Sequence, residues 1–152
     1  MEAPGKLMAV DGLDLSAEGP YHALITLVNP TDSFVGYYLC FNDDLLNAHY
    51  WRQFTAADDE ARTSGRRNDP RLTGLDPGEG ALISVNLARS PDGLARATVA
   101  VNRGAPAEVI TLEHKIVWTV PENVTSIEVN ADADGGIGPG SAIVVHDTGA
   151  MI

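Results

Sequence analysis

The chain has 152 residues, of which 44% are hydrophobic and 20% are charged, a balance typical of one globular domain. Its 21 acidic and 10 basic residues give a formal charge of −11, which disfavours binding to nucleic-acid phosphates and to anionic membrane surfaces. The 15 glycines and 9 prolines favour short elements over long helices, and neither a secretory signal nor a transmembrane run is expected from the sequence.

The first half of the chain contains two apolar runs that predict strands. Residues 22–28 (HALITLV) are apolar enough for a central strand, and Asn29 and Pro30 begin a turn that ends it. Residues 36–41 carry apolar side chains at both parities, so both faces of this second strand are expected to meet neighbours. The single cysteine, Cys40, lies in this run and is predicted to be a buried, inert thiol.

Residues 43–75 lack strand periodicity and are predicted to form an irregular, exposed insertion. Thr55 and Asp58 have the spacing of a capping box, which predicts a short helix over residues 56–62. Residues 63–70 are polar and rich in loop formers, and they predict an exposed loop.

The second half of the chain predicts five strands with short connectors, at residues 81–87, 94–102, 109–120, 125–131 and 142–146. Trp118 is predicted to anchor the core, and His114 is the polar exception on the apolar face of its strand. Connectors shorter than a crossover helix favour antiparallel pairing. Residues 1–152 are therefore predicted to form a single all-β domain, an antiparallel sandwich of jelly-roll or immunoglobulin-like type.

Three clusters are candidate sites. Asn130, Asp132 and Asp134 place oxygen ligands at alternating positions of a glycine-rich turn, which predicts either a Ca²⁺ site or a solvated polar turn. Tyr50 and Trp51 form either a ligand-stacking platform for a glycan or part of a packed core or interface.

The third cluster is a set of arginines that predicts a partner-binding loop. Guanidinium groups bind carboxylates of a partner through paired hydrogen bonds, although nearby acidic residues offer internal neutralisation as an alternative. The cluster consists of Arg62, Arg66, Arg67 and Arg71.

No nucleophile elbow, zinc-ligand spacing or phosphate-binding loop occurs in the sequence, so no catalytic residue is predicted. Cofactors are expected to be none, or Ca²⁺ at the aspartate turn. An enzyme is disfavoured relative to a structural or binding protein.

Residues 116–141, IVWTVPENVTSIEVNADADGGIGPGS, resemble a pattern found in bacteriophage tail-fibre and other virion surface domains. The same segment looks like part of the calcium-dependent galactose-binding bacterial lectins. The first resemblance implies a virion component such as a capsid decoration or fibre-associated domain. It would work as a homo-oligomer within a larger assembly, on the virion surface or in the cytoplasm before assembly. The second implies the alternative, a calcium-dependent carbohydrate-binding module that uses Asp132 or Asp134.

Overall fold

The computed structural model describes residues 5–58, 61–104 and 106–149. These residues form eleven strands and one 3₁₀ turn at Asn47–His49. The strands are β1 (Leu7–Val10), β2 (Tyr21–Val28), β3 (Val35–Phe41), β4 (Tyr50–Ala57), β5 (Arg62–Arg67), β6 (Arg71–Leu75), β7 (Gly80–Arg89), β8 (Ala95–Arg103), β9 (Ile110–Trp118), β10 (Ile127–Ala131) and β11 (Ala142–Asp147). None of the described segments is a helix long and apolar enough to cross a membrane.

The strands form two antiparallel sheets that pack as a sandwich. The smaller sheet has the order β1-β10-β3-β6, and the seven-stranded sheet has the order β11-β2-β7-β8-β9-β4-β5. This confirms the predicted all-β antiparallel sandwich, and β2, β3 and β7 to β11 all lie where the sequence predicts strands. The β1 and β6 strands, which were not predicted, pair with β10 and β3 at the two edges of the smaller sheet.

The core lies between the two sheets, and the seven-stranded sheet contributes to it by alternation, whereas β3, β6 and β10 of the smaller sheet are mostly buried at both parities. Along β8, every second residue from Ala95 to Val101 is buried while the residues between them are exposed. The largest fully buried side chains include Trp118, Tyr37 and Phe41, and the Phe41 and Trp118 ring centroids lie 5.9 Å apart. Each such side chain contributes roughly 1.5–3 kcal/mol by leaving water. Trp118 is the core anchor that the alternation predicts, and Cys40 is buried as predicted.

The predicted helix over residues 56–62 is wrong, because this segment belongs to a β-hairpin. The β4 strand pairs with β9 along its whole length, and β5 pairs with the other edge of β4. The carboxylate of Asp58 accepts a hydrogen bond from the Ala61 N–H at 2.7 Å across the hairpin turn. The capping-box interpretation had placed Asp58 in the first turn of a helix. Residues 59 and 60, which complete that predicted helical turn, lie outside the described residues.

The predicted irregular insertion at residues 43–75 is likewise wrong for most of its length, because β4, β5 and β6 occupy it. Eight registered pairs between β4 and β9 supply backbone hydrogen bonds that outweigh the weak local preferences of this segment. The segment therefore extends the seven-stranded sheet and forms its β5 edge.

The turn after β3 is held by one side chain. Asn42 and Asp43 both have positive φ angles, of 52° and 59°. The Asn42 amide donates to the Asn123 carbonyl at 2.7 Å, and its oxygen accepts from the N–H groups of Thr125 and Ser126 at 2.8 and 3.1 Å. Asn42 thereby fixes the segment that leads into β10.

Candidate functional site

The outer face of the seven-stranded sheet, which points away from the core, has the opposite charge to the rest of the chain. Strand register places four cations on it, Arg62, Arg66, Arg96 and Lys115, together with one carboxylate, Glu113. The described strand positions of this face therefore carry a formal charge of +3, and the other residues of a chain of net charge −11 carry −14. Charge segregation of this kind favours association with an acidic surface.

A depression of about 380 Å³ lies among the cations of the outer face. Trp51 lines it and is 56% exposed. On β9, Lys115 pairs with Gln53, which in turn pairs with Arg66 across β4 and β5. Arg96 forms an exposed ion pair with Asp92 at 2.8 Å, whereas Arg66 and Lys115 form none with any described residue. Two free cations therefore flank an exposed indole.

The other half of the outer face exposes three aliphatic side chains. Leu24, Leu82 and Val144 are 41–49% exposed, and Val144 lies directly opposite Leu24 in the register. A shallow concavity of about 480 Å³ runs from Leu24 across the sheet to Arg62. Exposed apolar residues beside charged ones are typical of protein–protein interfaces.

The structure divides the four arginines of the predicted partner-binding loop between two surfaces. Arg62 and Arg66 lie on the outer face, and the first lines the apolar concavity while the second lines the Trp51 depression. Arg67 and Arg71 line a separate groove on the other side of the β4–β5 hairpin. The division follows from strand alternation, because Arg66 and Arg67 are adjacent in β5 and point to opposite faces.

A buried histidine forms the floor of that groove. The His114 ring donates from Nε2 to the Leu72 carbonyl at 2.6 Å, and its Nδ1 accepts from Arg52 Nη1 at 3.3 Å. Arg52 is itself buried, and its Nε donates to Asp69 Oδ1 at 2.9 Å. Burial lowers the pKa of His114 from 6.5 to about 4, so the ring is neutral at pH 7 and orients Arg52 as an acceptor.

The predicted Tyr50–Trp51 stacking platform is reduced to Trp51. Tyr50 is fully buried, and its hydroxyl accepts from the Phe41 N–H at 3.0 Å and donates to the Asp44 carbonyl at 2.8 Å. Because adjacent strand residues point to opposite faces, a ligand that reaches Trp51 cannot reach Tyr50.

The aspartate turn does not have the arrangement that calcium requires. Asp132 Oδ1 accepts from the Gly36 N–H at 3.0 Å, and the Asp134 side chain is 99% exposed with Lys6 Nζ 3.9 Å away. No group of three His, Cys, Asp or Glu side chains that could hold a metal ion occurs within residues 5–58, 61–104 and 106–149. Since Ca²⁺ takes about six to eight oxygen ligands, Asn130 and these two carboxylates as arranged here do not fit it.

The aspartate turn also lies in a different sheet from Trp51. Asn130 belongs to β10 in the smaller sheet, and the Asp132 N–H donates to Gly36 of the neighbouring β3 at 2.9 Å. Trp51 lies in β4 of the seven-stranded sheet. The two features that would together form a lectin-type site are therefore on separate elements.

No protein-family model, curated protein or solved structure matches this chain.

Arg62 and Arg66 of the outer face were predicted as partner-binding residues, but Arg96 and Lys115 were not, because they are distant from those arginines in sequence. Arg96 and Lys115 appear in the sequence as ordinary polar positions of two predicted strands. The register brings them together with Arg66, since Lys115 pairs with Thr98 on β8 and with Gln53 on β4. The sequence shows which face of its own strand each charged residue occupies. Only the order of the strands in the sheet shows that these residues lie side by side.

Proposed function

We propose that the protein is a non-enzymatic structural protein that acts through protein–protein contacts, with the outer face of the seven-stranded sheet docking onto the acidic surface of a second copy. The observation that carries this proposal is the charge of +3 on that face in a chain of net charge −11. The adjacent apolar residues Leu24, Leu82 and Val144 supply surface whose burial stabilises the contact.

The charge distribution favours a head-to-tail contact. Two outer faces placed against each other would bring like charges together, so a two-fold symmetric contact through this face is disfavoured. When the basic face of one copy docks onto the acidic surface of another, the first copy keeps a free acidic surface and the second keeps a free basic face. Contacts of this kind generate rings or extended arrays. A contact of ordinary size would bury on the order of 800 Å² on each partner.

The resemblance of residues 116–141 to virion surface domains supports a specific setting for this assembly. In that setting the protein is a phage-type virion component, either a capsid decoration or a fibre-associated domain at the virion surface. Repeated contacts between copies are what such a component requires.

Self-association of purified protein tests the proposal, with light scattering after size exclusion as the measurement. We expect the mass to exceed that of one chain, to rise with protein concentration and to fall as NaCl increases to about 0.5 M, because salt screens the contact. The double variant Arg66→Glu/Lys115→Glu should be monomeric.

The matched control is Lys6→Glu/Arg89→Glu, which makes the same change in net charge at exposed positions away from the outer face. It should assemble as well as the wild type, since it adds negative charge to the acidic part of the surface. A monomer under all conditions, or an equal loss of assembly in both variants, would overturn the proposal.

The exposure of Trp51 favours one second candidate, a carbohydrate-binding module of the lectin type. Here the indole would stack on a sugar ring beside Gln53 and Lys115. A glycan array probed with and without chelator separates the candidates. A signal that Trp51→Ala abolishes would support the lectin alternative, and its sensitivity to chelator would show whether Ca²⁺ takes part.

A further inference from the structure

A groove of about 290 Å³ lies beside the β4–β5 hairpin, on the side opposite the outer face. We call it the arginine groove, because four guanidinium groups and two aromatic rings line it: Arg52, Arg67, Arg71, Arg103, Phe34 and Phe54. Four cations around one small volume is unusual in a chain with twice as many acidic as basic residues.

Three of the guanidinium groups in the groove lie over aromatic rings, and that of the buried Arg52 is 5.0 Å from the centroid of Phe54. The Arg67 guanidinium lies 5.4 Å from the centroid of Phe54, and that of Arg71 lies 5.8 Å from the centroid of Phe34. Stacking on a ring orders the planar guanidinium and leaves N–H groups at its edge. Arg67 Nη1 donates to the Arg66 carbonyl at 2.8 Å, and its other N–H groups remain for a ligand. Arg67 and Arg71 are therefore held in place before any ligand arrives.

Each aromatic ring packs closely over a glycine, so that a side chain at either position would displace the ring. A Cβ on Gly65 would lie 3.0 Å from two ring atoms of Phe54. A Cβ on Gly74 would overlap the Phe34 ring and lie 2.6 Å from Arg71 Nη2. The two glycines thus create the space in which the rings and guanidinium groups sit.

The groove has more cations than carboxylates. Arg52 pairs with Asp69 at 2.9 Å and Arg103 pairs with Glu79 at 3.2 Å, while Arg67 and Arg71 form no ion pair with any described residue. Arg103 Nε is buried and has no hydrogen-bond partner among the described residues. His114 is neutral and contributes no charge, so the groove keeps two uncompensated positive charges and an unused N–H.

We propose that the arginine groove binds a carboxylate carried on an apolar carbon skeleton. Arg67 and Arg71 donate to the carboxylate, as Arg52 and Arg103 already do to Asp69 and Glu79. The Phe34 and Phe54 rings contact the hydrocarbon part, which inorganic phosphate does not have. The ligand is a free carboxylic acid or an acidic side chain of a protein partner. This inference does not depend on docking by the outer face.

Titration of the full chain with hexanoate, followed by the NMR signals of the arginine Nε–H groups, tests the proposal. Hexanoate should shift the signals of Arg67, Arg71 and Arg103 saturably. Acetate, which has no comparable apolar part, should bind at least about 5-fold more weakly, and phosphate should bind no more tightly than acetate.

Three variants distinguish binding in the arginine groove from general electrostatic attraction of the ligand to the protein. Arg71→Gln should weaken hexanoate binding about 10-fold through the loss of charge-assisted hydrogen bonds, and Arg67→Gln gives the same test at a more exposed position. Gly74→Ala keeps every charge but displaces the ends of two flexible side chains, Phe34 and Arg71, and should weaken binding at least about 5-fold. The control Arg96→Gln removes the same charge from the outer face and should leave the affinity unchanged.

A blocked Glu-Leu-Glu peptide distinguishes the two sources of the carboxylate. Tighter binding of the peptide than of hexanoate identifies an acidic segment of a protein as the ligand, and tighter binding of hexanoate identifies a free acid. The proposal is overturned by the absence of saturable shifts at about 50 mM hexanoate, by tighter binding of phosphate, or by equal weakening in Arg71→Gln and Arg96→Gln.

Discussion

His114 should make the protein lose stability as the pH falls below neutral. The ring is buried on the inner face of β9, and both of its nitrogens are used, by the Leu72 carbonyl and by Arg52. A proton on Nδ1 would remove the acceptor for Arg52 and place two positive charges in contact. The folded chain therefore favours the neutral ring.

The size and the sign of this effect follow from the pKa of His114. Burial lowers it from 6.5 in the unfolded chain to about 4 in the folded protein. As the pH falls, the unfolded chain binds the proton first, so the contribution is fully present above pH 6.5 and is lost between pH 6.5 and 4. The difference between the two pKa values lowers the free energy of unfolding by about 3 kcal/mol at pH 4 relative to pH 7.

The variant His114→Gln isolates this contribution, because its amide donates to the Leu72 carbonyl and does not titrate. Urea unfolding of both proteins at pH 7, 5.5 and 4 gives the free energies. Other titrating groups are common to both, so their effects cancel in the difference between the proteins. We expect that difference to change by about 3 kcal/mol from pH 7 to pH 4, in favour of the variant. A difference that stays constant with pH would refute the reasoning.

Three further predictions concern single side chains. Burial raises the pKa of Glu128, and its Oε2 has no hydrogen-bond partner among the described residues. Glu128→Gln should therefore raise the free energy of unfolding by about 1 kcal/mol at pH 7, and this gain should disappear as the pH falls below the folded-state pKa. Urea unfolding of both proteins at pH 4 and 7 checks this. Asp43→Gly should raise the melting temperature, because glycine adopts the positive φ angle of this position without strain. Asn42→Gly should lower the melting temperature, because the hydrogen bonds to residues 123–126 are lost. Calorimetry of the two variants measures both shifts. Trp51→Ala should leave the melting temperature within about 2 °C of the wild type because the indole is mostly exposed, and a larger fall would show that Trp51 packs into the core.

The strands that sequence analysis predicted are those in which the apolar residues alone define a face. Along residues 80–88 of β7 and 95–102 of β8 the buried residues alternate with exposed or half-buried ones, because one face of each strand packs on the other sheet and the other faces solvent. Period-two hydrophobicity records that arrangement directly. Trp118 followed from the same pattern, since it lies at the buried parity at the end of β9.

The hairpin of β4 and β5 could not be predicted in this way. All but one of the residues of β5 are exposed, so its sequence RTSGRR contains no apolar stripe. In β4 the buried parity holds Arg52, whose charge is matched by Asp69 and whose Nη1 donates to the neutral His114 ring. What places these two strands in the sheet is pairing with strands distant in sequence, since β4 pairs with β9, and the local capping-box pattern was therefore misleading.

The hairpin also explains why the arginines could be identified from the sequence but not assigned to a surface. Because β5 is an edge strand with both faces exposed, Arg66 and Arg67 point in opposite directions and contribute to two different sites. The outer face and the arginine groove consequently share strands β4, β5, β8 and β9, but none of the five charged side chains of the outer face lines the groove. Charge reversal at Arg66 should affect assembly and leave carboxylate binding intact, and Arg67→Gln should do the reverse. The observation that one of these variants changes both properties would mean that the two surfaces belong to a single site.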